Sequence, residues 1–167
     1  MDDAPIIKDT NVAMTLADLI PQDAIIPTLR AKTKKQALEE LAVRAGRLEK
    51  LPAREIFEAL LQRERLGSTG IGRGIAIPHC RHPAVKRMAC LFARLETPIA
   101  FDAMDGNPVD LVFLLLAPED AGADHLKALA RVSRLMREPQ TILQLRAARD
   151  QASLHAVLTQ PLTSNAA

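Results

Sequence analysis

His79 follows a window holding four of the chain's seven glycines, Gly67-Ser-Thr-Gly70-Ile-Gly72-Arg-Gly74, and the short run Ile75-Ala-Ile-Pro78. An imidazole with an ordinary pKa of ~6.5 is mostly neutral at pH 7, and in that form it is a nitrogen nucleophile. Glycines lack a Cβ, so the window can turn tightly and bring backbone N–H groups close to an anion. A nucleophilic ring beside an oxyanion cradle is what reversible phosphorylation of histidine requires. Pro78 fixes its own φ and biases Ile77 toward extended backbone, which holds His79 at the lip of a strand.

Around that ring, the Ser68 and Thr69 hydroxyls and the backbone of Gly70 are the expected phosphate-binding groups, although hydroxyls after a helix also serve ordinary turns. Arg63 lies a few residues upstream, where its planar fork could reach a phosphoryl oxygen. Arg65 is accounted for by the favourable placement of a cation at a helix C-terminus. His125 opens the long helix after Asp124, among partially positive N–H groups. It could hydrogen-bond the nucleophile or the phosphoryl oxygens, or be a plain first-turn histidine. The window matches neither G-x-x-x-x-G-K-[ST] nor G-x-G-x-x-G, which argues against a nucleotide site. His79, Cys80 and His82 have some metal character, but no carboxylate or further Cys lies at a useful short spacing, so no metal and no other cofactor is expected.

Composition narrows the function further. Aromatic residues are 2% of the chain, with no Trp or Tyr, so the core is aliphatic and stacking platforms for single-stranded nucleic acid are missing. A net charge of +2 with scattered arginines offers no surface for a duplex, and no nucleic-acid partner is expected. Two cysteines, Cys80 and Cys90, make no disulfide network. Cys90 falls in an apolar run and reads as buried, whereas Cys80, beside His79, reads as accessible. The acidic start resembles no signal peptide, and no stretch has the ~18 apolar residues of a membrane span. The expected location is the cytoplasm.

The elements that must position these groups follow from periodicity. Thr15 caps a short helix through Ile20, and Ala24 to Ile26 form a strand. Thr33 caps a helix whose buried stripe is Leu38, Leu41, Ala42, Ala45 and Leu48. Pro52 opens another, with Ile56, Phe57, Leu60 and Leu61 buried and Gly67 just past its end. Gly74 to Pro78 read as a strand that finishes at the histidine, Met88 to Leu95 as a second, and Val109 to Ala117 as a central strand covered on both faces. The long helix buries Leu126, Leu129, Ala130, Ser133 and Met136, and two shorter helices occupy 140–149 and 153–159. The fold class is α/β, a mixed four- or five-stranded sheet sandwiched between helices. Residues 1–14 are a flexible N-terminus, 15–160 the domain and 161–167 a disordered tail.

The segment Gln62 to His79, QRERLGSTGIGRGIAIPH, resembles the active-site signature of the phosphotransferase-system enzyme IIA proteins of the fructose/mannitol type. Leu95-Glu-Thr-Pro-Ile-Ala-Phe-Asp102 and Pro108-Val-Asp-Leu111 resemble the nitrogen-regulatory branch, and the likeness spans roughly residues 15–160. The resemblance implies that Nε2 of His79 accepts a phosphoryl group from a phosphohistidine on an HPr-like carrier. An enzyme I would charge that carrier from phosphoenolpyruvate. Arg63 and His125 then match the arginine and second histidine of the site. Together with the loop N–H groups and the Ser68 and Thr69 hydroxyls they would hold the phosphoryl oxygens, while Ile71, Ile75 and Ile77 form an apolar rim for the carrier. Cys80 stands where a Gly or other small residue is expected, which adds a possible redox sensitivity. Without IIB or IIC domains, a free IIA of this branch resembles a regulator: a phosphotransferase only in the loose sense of histidine-to-histidine transfer. Its phosphorylation state would signal nitrogen or metabolic status to transporters, sensor kinases or metabolic enzymes. Two other classes compete: a non-catalytic module that binds an anion or partner, and a metal-dependent hydrolase built on His79, Cys80 and His82.

Overall fold

The computed structural model describes residues 16–160; the lead-in with its Thr15 cap and the tail from Pro161 lie outside the described residues. A short helix, α1 (Leu16–Leu19), and a single 3₁₀ turn precede β1 (Ile25–Leu29). Helix α2 (Lys34–Glu49) starts as its sequence dictates. The Thr33 side chain accepts from the Gln36 N–H at 3.1 Å, and the Gln36 side chain reaches back to the N–H of Lys32 at 2.8 Å. It ends at Lys50, which takes left-handed backbone (φ 58°). Helix α3 (Ala53–Arg65) follows Pro52 and buries Ile56, Leu60 and Glu64, with Phe57 and Leu61 half-buried against the same core.

β5 (Ala89–Ile99) and β6 (Val109–Pro118) form the antiparallel centre of the sheet. Every residue from Leu111 to Ala117 is buried, so the central strand is covered on both faces as its unbroken apolar run predicts. β1 runs parallel to β5 on one side. On the other side of β6 lie two short parallel segments, β3 (Ile75–Ala76) and β4 (His79–His82). Ile75 faces Leu111 and His79 faces Leu115 in the same offset, so β3 and β4 are one strand line interrupted at Ile77–Pro78. Proline has no N–H to give the ladder. The predicted strand therefore does not finish at His79. The proline breaks it, and His79 begins the second half.

β2 (Gly70–Gly72) pairs antiparallel with β3 and forms the sheet edge, giving the order β1-β5-β6-β3-β2. The glycine window is thus largely a hairpin, and the sheet has six strands in five lanes where four or five strands are expected. Helices α4 (Ala123–Leu135), α5 (Pro139–Ala147) and α6 (Gln151–Thr159) complete the domain. The half-buried Arg94 on β5 ties the end of α5 to β1. Its guanidinium donates to the carbonyls of Leu145 (2.8 Å) and Ala148 (2.6 Å) at the end of α5 and to that of Pro27 in β1 (3.1 Å).

The predicted stripe of α4 is rotated. Its buried residues are His125, Ala128, Val132 and Leu135, and Leu126 is 62% exposed. The helix gives its histidine to the interior and leaves the leucine outside.

Candidate active site

The hairpin is held from below. Arg73 at its tip has φ 59°, and its N–H donates to the Asp105 carboxylate at 2.9 Å. Arg146 of α5 donates to the Arg73 carbonyl at 2.9 Å and grips Asp110 through two bonds of 2.8 and 2.9 Å. Gly74 (φ 82°) lies under that grip, and a Cβ there would come within 2.5 Å of the Arg146 Nη2.

The loop groups expected to hold phosphate are occupied by this framework. Ser68 Oγ donates to the Phe101 carbonyl at 2.6 Å and accepts from the Gly70 N–H at 3.0 Å. The Thr69 N–H donates to the buried Glu64 carboxylate at 3.1 Å, and the Thr69 hydroxyl donates to its other oxygen. Lys34 of α2 pairs with the same carboxylate at 2.9 Å. Ser68, Thr69 and Gly70 therefore build the edge of the site and do not line its cleft. Buried polar groups take partners where they find them, and here Glu64 and the Phe101 carbonyl are nearer than the cleft.

His79, Arg63 and His125 do come together. The Nδ1–H of His79 donates to the Ile77 carbonyl at 2.8 Å, which leaves the ring's lone pair on Nε2. Arg63, in the last turn of α3, donates from Nε to that Nε2 at 3.3 Å and from Nη1 to the Gly67 carbonyl at 2.9 Å. The His125 ring stands edge-on to the His79 ring, with centroids 5.6 Å apart. Arg81, two residues along β4, donates from Nε to Nδ1 of His125 at 2.9 Å. Nε2 of His125 then carries the proton, and this buried atom has no hydrogen-bond partner among the described residues.

Burial is the main reason the pKa of His79 lies below 6.5; the Ile77 carbonyl opposes the shift, and the Arg63 cation adds to it. His125 is lowered first by burial, then by the charges of His79 and Arg81. Both rings are neutral at pH 7, in opposite tautomers: one offers a lone pair, the other an N–H.

The cleft opens between α3, β4 and α4, and its mouth is flanked by Leu66 and Leu126, with Leu129 half-buried beside them. Leu66 is 84% exposed. The rim predicted at Ile71, Ile75 and Ile77 is not there, since Ile75 and Ile77 are buried in the sheet and Ile71 is half-buried against the core. Arg65 also lines the cleft. Cys80, expected to be accessible, is buried, and burial pushes its thiol up to about 12. Cys90 is buried, as its apolar run predicts. His82 does not join His79. Its Nδ1 accepts from the Ala84 N–H at 3.0 Å and its Nε2 meets Glu55 at 3.1 Å. His155 packs on α6 with Nε2 3.0 Å from the Ile20 carbonyl.

A mixed sheet flanked by helices, with two facing histidines at its edge, defines the class of protein. The family described as phosphoenolpyruvate-dependent sugar phosphotransferase system, EIIA 2 matches residues 18–160, and the chain belongs to it. The chain is 54% identical over 148 residues to a nitrogen regulatory protein of Bradyrhizobium diazoefficiens, covering 89% of this chain and 97% of that one. The crystal structure of nitrogen regulatory protein IIA-Ntr from Neisseria meningitidis superposes with a TM-score of 0.82 at 36% identity, over 86% of this chain and 99% of the other. The Escherichia coli mannitol IIA, solved in complex with phosphorylated IIB, shares the fold at 17% identity and a TM-score of 0.69, over 84% of this chain and 98% of that one. None of the described helices is long and apolar enough to cross a membrane.

Proposed function

We propose that this protein is a phosphoryl carrier and regulator that accepts a phosphoryl group on Nε2 of His79 from an HPr-like protein. One observation carries the reading: a neutral imidazole, with Nδ1–H fixed on a carbonyl, has its Nε2 against Arg63 and its ring beside that of His125, whose buried Nε2–H is unpartnered among the described residues. In the transfer, the Nε2 lone pair forms the new N–P bond as the N–P bond of the donor phosphohistidine breaks. The released electron pair stays on the donor nitrogen. Nδ1–H remains on His79, and the Ile77 carbonyl stabilises the positive charge the ring gains. Arg63 gives up its contact with Nε2 and turns its N–H groups to the phosphoryl oxygens, while His125 supplies an N–H from the other side. Transfer of this kind is mostly positioning and charge stabilisation.

The rim of Leu66 and Leu126, with Arg65 beside it, suits a carrier with an apolar patch and an acidic border, and closure over it excludes water from the phosphoramidate. The added negative charge changes which partners that face accepts, and the phosphorylation state thereby reports nitrogen or metabolic status to transporters, sensor kinases or metabolic enzymes. Incubation with phosphoenolpyruvate, enzyme I and the carrier should add the mass of one phosphoryl group to the wild type and nothing to H79A. No gain in the wild type, with the carrier visibly charged, would make the protein a binding module instead.

A further inference from the structure

The geometry points to Arg81 as the positioning residue that makes His125 a hydrogen-bond donor and reserves the nucleophile's part for His79. This inference rests on the proposed transfer and adds a residue to it. The site holds two imidazoles 5.6 Å apart, and nothing in the chemistry of a lone histidine assigns them different tasks. The assignment comes from what each Nδ1 meets. His79 Nδ1 meets a carbonyl, which only accepts, so its proton is on Nδ1 and its lone pair on Nε2. His125 Nδ1 meets the Nε–H of Arg81 at 2.9 Å, which only donates, so the lone pair is on Nδ1 and the proton on Nε2.

An arginine is the appropriate donor for this task. It never loses its proton at accessible pH, so the contact cannot reverse, and a proton on Nδ1 would point directly at a guanidinium N–H. The surroundings of His125 act the same way: burial and the Arg81 cation of β4 oppose a charge on the ring, as does His79 whenever it is protonated, while Arg63 of α3 contacts His79. Arg81 itself is exposed, so replacing it leaves the core intact. His125, being protonated on Nε2, is kept from taking the phosphoryl group and is left with one N–H for its oxygens.

The test uses the full-length protein and the variants Arg81→Met, which reaches about as far as Nε without a donor, and Arg81→Lys. Long-range ¹H–¹⁵N spectra of the unphosphorylated protein read the protonation of each ring nitrogen across a pH titration. In the wild type, Nδ1 of His125 should be unprotonated and Nε2 protonated at neutral pH, with the reverse for His79. In R81M the titration midpoint of His125 should rise and its Nδ1 signal should move, while His79 keeps its tautomer. Single-turnover transfer from the phosphorylated carrier should slow about tenfold in R81M, a smaller loss than removing an oxyanion donor outright, with partial recovery in R81K. A His125 titration identical in R81M and wild type, or an unchanged transfer rate, overturns the assignment. The spectra require no phosphoryl donor. A wild type that takes up no phosphate would refute the carrier function, whereas His125 spectra that ignore Arg81 would refute this inference alone.

Discussion

Arg63 lies with its Nε 3.3 Å from Nε2 of His79, on the lone pair that the proposed transfer uses. The same guanidinium is anchored to the Gly67 carbonyl at 2.9 Å, so it can release the ring without leaving the site. Arg63→Gln should slow single-turnover phosphoryl transfer about 100-fold, the usual loss for a preorganised donor to a developing anion. Arg63→Lys should recover little, because a point charge replaces a two-pronged fork. An R63Q rate equal to wild type would show that the arginine only caps its helix.

Both site histidines are held below their ordinary pKa, chiefly by burial. As pH falls below ~6.5 the unfolded chain takes up protons that the folded chain refuses, so stability declines until the folded pKa values are reached and then levels off. Urea unfolding at about pH 7.5 and about pH 5.5 measures the decline. His79→Gln should lose less stability than wild type over that interval. Equal losses would mean that His79 titrates as a free imidazole.

Leu126 is exposed beside the cleft and contributes little to the core. Leu126→Ser should change unfolding free energy by less than ~0.5 kcal/mol. It should raise the KM for the phosphorylated carrier about tenfold, the equivalent of one leucine side chain removed from an interface. An unchanged KM would place the docking face elsewhere.

Gly74 combines φ 82° with a space that Arg146 and Asp110 already fill. Gly74→Ala should cost ~2 kcal/mol or more, through backbone strain and displacement of the Arg146 grip. Thermal unfolding checks it; a Tm within error of wild type would mean that the hairpin tip relaxes freely.

Much of this architecture is written in local patterns. Thr33 with Gln36, Pro52, and the apolar run of β6 each specify their element from neighbouring residues alone. Residues 62–79 hold Arg63 and His79, two of the side chains that meet in the cleft, and the family likeness implies the third, His125. What escaped depends on partners distant in sequence. Whether Ser68 and Thr69 face a ligand or the framework is decided by Phe101 and Glu64, and a run of glycines looks alike as an anion cradle or as an edge hairpin. Leu126 and Leu129 fit a buried stripe as well as a docking rim, because periodicity finds an apolar face without saying what covers it. Arg81 carries no signal in its spacing; its partner is His125 at the start of α4, 44 residues along the chain. An apolar residue at a helix end next to a glycine, as at Leu66, was the available hint of the rim.

The account turns on which nitrogen of which ring bonds phosphorus. After charging by the phosphorylated carrier, ³¹P–¹⁵N correlation spectra of the uniformly ¹⁵N-labelled protein identify it directly. The result expected is a single N–P coupling to Nε2 of His79, with Nδ1 of that ring still protonated. Coupling to Nδ1 of His79, or to either nitrogen of His125, would contradict the account.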